Sequence, residues 1–368
     1  MKLGTITVHN GYNYGASLQA YALVEALREL GVDANLVDYR NDFIEKKQVK
    51  NKDSFLKKAI KLLLLGTHGS AMKKKRFDEF NNSIISGKPY FSCDELEELN
   101  KKYDGFVCGS DQIWNMNITD FDPAFFAAFA DSSKIKMAYA ASLGEEKIDS
   151  DKKKEFFKEN LKNLDFISLR EQSGTEIISH YTDKECATVL DPVLLLDKEK
   201  WSKMAESSKV KTPKYKYAFY YELFRNDDMF RFALEKAKRE NVTLIRMDIL
   251  PLKAKMYGCV SLSAKGIGPV EFVKLISGAE FVVTNSFHGT VFSLMFEKDF
   301  YVMPFVGKFA KRTIRIENIL NMLSLEDHFI RDKECSYNKV DFEKINKILQ
   351  VERDKSRDFI LNAIKGKE

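Results

Sequence analysis

No two of the five cysteines share a CxxC motif: Cys93, Cys108, Cys186, Cys259 and Cys335 are odd in number and far apart. That spacing supports neither a zinc site nor a disulfide framework, and free, buried thiols are the expectation. No apolar run approaches the roughly 20 residues that a membrane-spanning helix requires; Leu62 to Leu65 falls far short. The opening Met1-Lys2-Leu3 leads into Ile6 and Val8, which reads as a first strand rather than a secretory signal. An excess of one charge is missing too. Against 59 basic and 54 acidic residues the formal net charge of +5 is small, so nucleic-acid binding is not indicated. A GxxxxGK(S/T) phosphate loop is absent, and Lys265-Gly266-Ile267-Gly268-Pro269 has two glycines where a dinucleotide fingerprint needs three. Repeats and low-complexity tracts are also lacking. What remains, with 44% hydrophobic and 31% charged residues over 368 positions, is a soluble cytoplasmic protein long enough for two domains.

Strand and helix patterns alternate along it. Residues 3–8 read as a strand and 16–30 as a helix, with Leu18, Ala22, Leu23, Ala26, Leu27 and Leu30 on one face. Further strands are expected at 34–39, 105–108, 136–140, 166–169 and 188–190, with helices between them, so parallel βαβ units follow. Asp191-Pro192, then a polar stretch to Pro213, reads as a domain boundary. The alternation restarts with strands at 215–221, 242–248, 281–284 and 300–304 and helices at 228–240 and 270–277. From Asp341 a charged helical tail carries Phe342, Ile345, Ile348 and Leu349 on one face. The expected fold class is α/β: two Rossmann-like domains facing a cleft, over 1–195 and 196–368, the second ending in the tail.

The first domain is expected to carry a basic helical insert at about 43–100. Lys46, Lys47, Lys50, Lys52, Lys57, Lys58 and Lys61 surround Phe55, Ala59, Leu62 and Leu63 at helical spacing, followed by Lys73, Lys74, Lys75 and Arg76. Two readings are open: a peripheral contact with an anionic membrane surface or acidic acceptor, or a solvated face.

Three strand ends carry the chemistry. Phe281-Val282-Val283 breaks into Thr284-Asn285-Ser286, presents Phe287-His288-Gly289-Thr290, then enters a helical pattern through Val291, Phe292, Leu294, Met295 and Phe296. A helix N-terminus favours anions, and a histidine there can exchange protons near neutral pH. The alternative is a Ser286 or Thr290 cap with His288 packed inside. Gly105 to Cys108 runs into Gly109-Ser110-Asp111-Gln112-Ile113-Trp114-Asn115, offering Asp111 as a base and Trp114 as a platform for a sugar ring. The alternative makes Asp111 a turn cap and Trp114 core. Phe166-Ile167-Ser168-Leu169-Arg170-Glu171 ends a strand with an arginine, suited either to clamp a carboxylate or phosphate or to pair with an acid. The first strand empties into His9-Asn10-Gly11-Tyr12-Asn13-Tyr14-Gly15-Ala16-Ser17, a turn where backbone can approach a ligand. His288, Arg170 and Asp111 together suggest a doubly anionic small substrate and proton transfer.

In these stretches the chain resembles the polysaccharide pyruvyl transferase family. The resemblance runs from Asn10 to about Leu323 and is carried by Asn13-Tyr14-Gly15-Ala16-Ser17-Leu18-Gln19-Ala20-Tyr21, residues 109–115, Tyr139-Ala140-Ala141-Ser142, Ser168-Leu169-Arg170-Glu171, Asp191-Pro192-Val193 and Ser286-Phe287-His288-Gly289. It implies a fold similar to two-domain (GT-B) glycosyltransferases, and transfer of a pyruvyl group from phosphoenolpyruvate to a sugar of a cell-surface polysaccharide or its precursor. It implies His288 and Arg170 around the donor, with Asp111 as the third catalytic candidate. Asn13, Tyr14, Gly15, Ser110, Gln112, Trp114, Ser142, Ser286, Gly289, Thr290 and Arg315 form the expected donor- and substrate-binding set. Phosphoenolpyruvate is a co-substrate; no cofactor or metal is implied. A lipid- or nucleotide-linked sugar is the expected acceptor, placing the work in the cytoplasm, at the inner membrane face if the insert docks there. A nucleotide-sugar glycosyltransferase and a non-catalytic sugar-binding protein are the competing readings.

Overall fold

Gly105 to Ala141 supplies the two central strands of the first sheet. Strands β3 (Gly105–Asp111) and β4 (Ile135–Ala141) are buried almost throughout, as expected for parallel strands covered on both faces. Around them lie β1 (Lys2–Ile6), β2 (Asp33–Leu36), β5 (Phe166–Leu169) and β6 (Cys186–Thr188). The order is β2-β1-β3-β4-β5-β6, and every pairing is parallel. Helix α1 (Tyr14–Glu29) starts where the Asn13 side chain accepts from the Gly15 and Ala16 N–H groups at 3.0 and 3.3 Å. The computed structural model describes residues 1–41, 43–44, 67–211, 213–247, 249, 251–262, 265–307, 313–331 and 339–366. The insert between Lys46 and Leu65 lies outside them. Helix α2 (Thr67–Asn82) follows, then α3 (Met116–Thr119), α4 (Asp151–Asn160) and α5 (Gln172–Ile178).

The second sheet has the order β11-β10-β7-β8-β9, again wholly parallel. Its strands are β7 (Tyr217–Tyr221), β8 (Thr243–Arg246), β9 (Val260–Ser261), β10 (Phe281–Thr284) and β11 (Asp299–Val302). Helices α6 (Lys198–Glu206), α7 (Asp227–Arg239), α8 (Pro251–Met256), α9 (Pro269–Ser277), α10 (Phe287–Met295) and α11 (Ile314–Met322) accompany it. The last helix is α12 (Phe342–Lys365).

Among the described residues one compact unit gathers Met1–Asn51, Asn81–Leu196 and Asn346–Glu368, and the other Lys52–Phe80 and Asp197–Ile345. The chain leaves the first unit at Leu196, within the stretch read as a boundary. Two expectations need correction. From Asn346 the tail packs with the first unit, not the second: Leu190 N–H donates to Ser356 Oγ at 2.9 Å, and Arg353 and Arg357 donate to the Leu194 and Leu195 carbonyls at 2.8 and 3.0 Å. Helix α2, expected in the first domain, belongs as far as Phe80 to the second, where Arg76 donates to the Lys265 and Gly266 carbonyls at 2.8 and 2.9 Å.

Each sheet reverses its winding once. In the first unit the reversal falls between β1 and β3, in the second between β7 and β10. Open α/β sheets bind ligands outside the carboxyl ends of their strands at such switch points.

Candidate functional site

The second unit's switch point is where His288 lies. Thr284, the last residue of β10, donates its hydroxyl to the Tyr221 carbonyl at 2.7 Å and accepts from the Ser286 N–H at 3.0 Å. Asn285 reaches the same loop: its Oδ1 accepts from Leu223 N–H and its Nδ2 donates to the Phe224 carbonyl, both at 2.8 Å. These bonds tie the β10 turn to the end of β7. Ser286 caps α10, its Oγ accepting from Gly289 N–H at 3.3 Å, and Thr290 Oγ1 donates back to the Ser286 carbonyl at 3.1 Å. A side chain at Gly289 has no room, since its Cβ would come within 2.5 Å of Thr284 Oγ1. His288 therefore sits on the first turn of a helix whose start is rigid, 6% exposed, with its ring edge-on to Phe287 at 5.2 Å. Arg315, also buried, lies in the first turn of α11, which packs on α10.

The first unit's switch point is more tightly closed than expected. Gln19 of α1 accepts from Ser110 N–H at 3.0 Å and donates to Thr7 Oγ1 at 3.0 Å, while Thr7 donates to the Ser110 carbonyl at 3.0 Å. Ser110 Oγ donates to the Ala140 carbonyl at 2.7 Å. Expected as a binding residue, Ser110 is a wholly buried clasp between β1, β3 and α1. At Gly109, with φ of 138°, a Cβ would stand 2.0 Å from the Tyr139 carbonyl oxygen, so β3 and β4 approach closely only because glycine is there.

Asp111 follows in a left-handed conformation (φ 65°), which aspartate tolerates better than most residues. Its carbonyl accepts from the Ser142 N–H at 2.9 Å, and Ser142 Oγ is buried with no hydrogen-bond partner among the described residues. The Asp111 carboxylate is 14% exposed and lies 3.6 Å from Arg170 Nη2. Arg170 itself is buried and holds two further acids, Asp191 at 2.7 Å and Glu171 at 3.1 Å. Burial alone would lower the guanidinium pKa, but Glu171, Asp191 and Asp111 raise it. The fork expected to clamp a substrate anion is engaged by carboxylates of its own unit. Its geometry makes Arg170 the post that orients Asp111.

Trp114 differs most from expectation. It is 1% exposed, stacked on Phe126 at 5.1 Å with its indole N–H donating to the Phe125 carbonyl at 3.2 Å. The indole is core, not a sugar platform. Gln112 Oε1 accepts from Asn115 Nδ2 at 3.0 Å, bracing the same loop. Beyond the turn that follows β1, Tyr14 and Gly15 are buried in the first turn of α1, where Asn13 is the cap.

Residues 13–304 match the polysaccharide pyruvyl transferase family. The chain belongs to that family. It is an enzyme family whose name places a polysaccharide or sugar as acceptor. No curated protein matches the chain by sequence. Among solved structures, a putative UDP-N-acetylglucosamine 2-epimerase from Listeria monocytogenes is 11% identical over 95% of this chain and 94% of its own, with a TM-score of 0.50. The UDP-GlcNAc 2-epimerase from Methanocaldococcus jannaschii is 12% identical over 95% of this chain and 99% of its own, with a TM-score of 0.48. The Listeria likeness is one of fold alone, and the fold this pyruvyl transferase family member adopts is α/β with two parallel sheets.

Two groups in the first unit have partners that sequence reasoning did not assign. Asp191, read as the start of a domain boundary and as part of a family signpost, anchors Arg170. His9 Nε2 faces Asp38 Oδ1 at 3.1 Å while its Nδ1 faces the Thr7 carbonyl at 3.0 Å. Arg40 binds both Asp38 oxygens at 2.8 Å. Burial would raise the Asp38 pKa, but hydrogen bonds from His9 and Arg40 overcome it and hold the carboxyl down to about 2. Among the described residues no cluster of His, Cys, Asp and Glu could hold a metal, and no helix is long and apolar enough to cross a membrane.

Proposed function

We propose that the protein transfers the pyruvyl group of phosphoenolpyruvate to two hydroxyls of a sugar in a cell-surface polysaccharide or its precursor, forming a pyruvate ketal. The observation that carries this reading is the position of His288, on the first turn of a capped helix at the second unit's switch point. A helix start favours the donor's phosphate or carboxylate, and Arg315 in the neighbouring helix supplies a cation in the same unit. His288 delivers a proton to the enol methylene or stabilises the departing phosphate. Acceptor activation is assigned to Asp111, which lies 3.6 Å from Arg170 and keeps some exposure, and which takes a hydroxyl proton. The balance closes, since two hydroxyl oxygens add to the carbon that carried phosphate, one proton makes the methylene a methyl, and the other leaves with inorganic phosphate.

The test is incubation of the full chain with phosphoenolpyruvate and a panel of sugar acceptors, with released phosphate and a pyruvate ketal as readouts. Acceptor-dependent phosphate release supports the reading. Binding of a nucleoside diphosphate without any binding of phosphoenolpyruvate overturns it in favour of sugar transfer from a nucleotide.

A further inference from the structure

Helix α8 presents an exposed apolar outward face. It leaves the carboxyl end of β8, and Ala254, 2% exposed, anchors it in the core beside Ile249, Cys259 and Phe230. One helical turn apart on its outer side stand Leu252 and Met256, 74% and 78% exposed. Single exposed apolar residues are ordinary, but these two have company on the same rim. Leu223 after β7 and Val306 after β11 are 38% and 54% exposed, and their loops meet through the edge contact of Phe224 with Phe305 at 5.2 Å. The segment Pro251 to Tyr257 holds two lysines, Lys253 and Lys255, and no acid. Asp227, an acid within electrostatic reach of Lys253, is bound through both oxygens by Arg225 at 2.8 and 3.0 Å.

We infer that α8 is a peripheral docking lip for an anionic lipid surface, with Leu252 and Met256 entering the headgroup boundary and Lys253 and Lys255 meeting lipid charge. Apolar residues flanked by lysines on a short, rigid helix combine the two terms that drive interfacial binding. Contact is peripheral, because no helix among the described residues can cross a bilayer. The lip lies at the carboxyl end of the sheet that carries His288, so docking brings that rim to the surface where a lipid-carried acceptor resides.

Co-sedimentation of the full chain with phosphatidylcholine vesicles and with phosphatidylglycerol-rich vesicles tests this without any donor, so its failure and that of pyruvyl transfer are distinguishable. The expected result is preference for the anionic vesicles, weakened by salt. K253Q/K255Q should lower that affinity roughly thirtyfold, at about a kilocalorie per lysine. L252S/M256S should weaken binding at every salt concentration. All four side chains are exposed, so an unchanged melting temperature verifies folding. Absence of binding by the wild type, or double variants that bind as it does because another segment carries the contact, overturns the inference.

Discussion

Asp191 grips Arg170 at 2.7 Å with its carboxylate withdrawn from solvent, and through Arg170 it fixes the distance to Asp111. Asp191 is itself held by the chain around it. Leu190 is bound on one side by the Tyr139 hydroxyl at 3.0 Å and on the other by Ser356 of the last helix. The position of a candidate base thus depends on a helix more than 150 residues away in sequence.

Removing either member of this cluster has unequal consequences. Arg170→Met leaves three carboxylates around one buried point, and should destabilise by about 3–5 kcal/mol. Asp191→Asn leaves Arg170 with Glu171 and Asp111 and keeps an acceptor, so about 1–2 kcal/mol is expected. Denaturant midpoints check the order. Arg170→Lys keeps the charge but loses the planar fork, so turnover should fall while donor affinity stays near normal. A large loss of donor affinity with intact turnover per bound donor would return Arg170 to the role of anion clamp.

How far the sequence could be read depended on whether the deciding contact was local. The bounds of β10 and the Ser286 cap follow from Phe281 to Thr290 alone, because alternation, capping and helix start all lie within ten residues. Trp114 does not work that way: an indole after a strand looks the same whether it faces a ligand or stacks on Phe126 twelve positions later. The apolar stripe Phe342, Ile345 and Leu349 announces a helix but not its host, which Ser356, Arg353 and Arg357 decide by reaching residues 190–195. The Arg170 fork was recognisable as an anion site; that its anions are Glu171, Asp191 and Asp111 is tertiary information.

Acid should expose the His9–Asp38–Arg40 group. The Asp38 carboxyl is held at about 2 against an ordinary 3.8, so its contribution is complete above 3.8 and is lost as pH falls through about 2. The difference is worth about 2 kcal/mol by linkage. Wild type should therefore lose, between about pH 4 and pH 2, the stability that separates it from Asp38→Asn at neutral pH. Parallel stability curves through that window would show that Asp38 carries no such linkage.

Gly289→Ala tests the rigid helix start. Its Cβ would meet Thr284 Oγ1 at 2.5 Å, and that oxygen is already committed to Tyr221 and Ser286. Relief requires β10 or α10 to shift, at about 1–3 kcal/mol. Thermal unfolding should show the loss, and phosphate release per folded molecule should fall with it as His288 moves. An alanine variant with wild-type stability would mean the turn is softer than its bonding indicates.

His288→Ala bears most directly on the mechanism. It removes the candidate proton donor yet leaves the Ser286 cap, the Thr284 and Asn285 ties and the helix start in place, since none of them runs through the imidazole. Phosphoenolpyruvate should therefore still bind, while turnover drops by about 10²–10⁴-fold, the usual worth of a positioned general acid. Arg315→Met should give the reverse pattern, weaker donor binding with less effect on the chemical step, if the cation of the neighbouring helix meets the donor as proposed, because it would act on the bound anion in ground and transition states alike. Calorimetric donor binding set beside phosphate release for the two variants separates these roles. Normal turnover in His288→Ala would make the histidine a packing residue against Phe287, and the acid would have to be sought elsewhere.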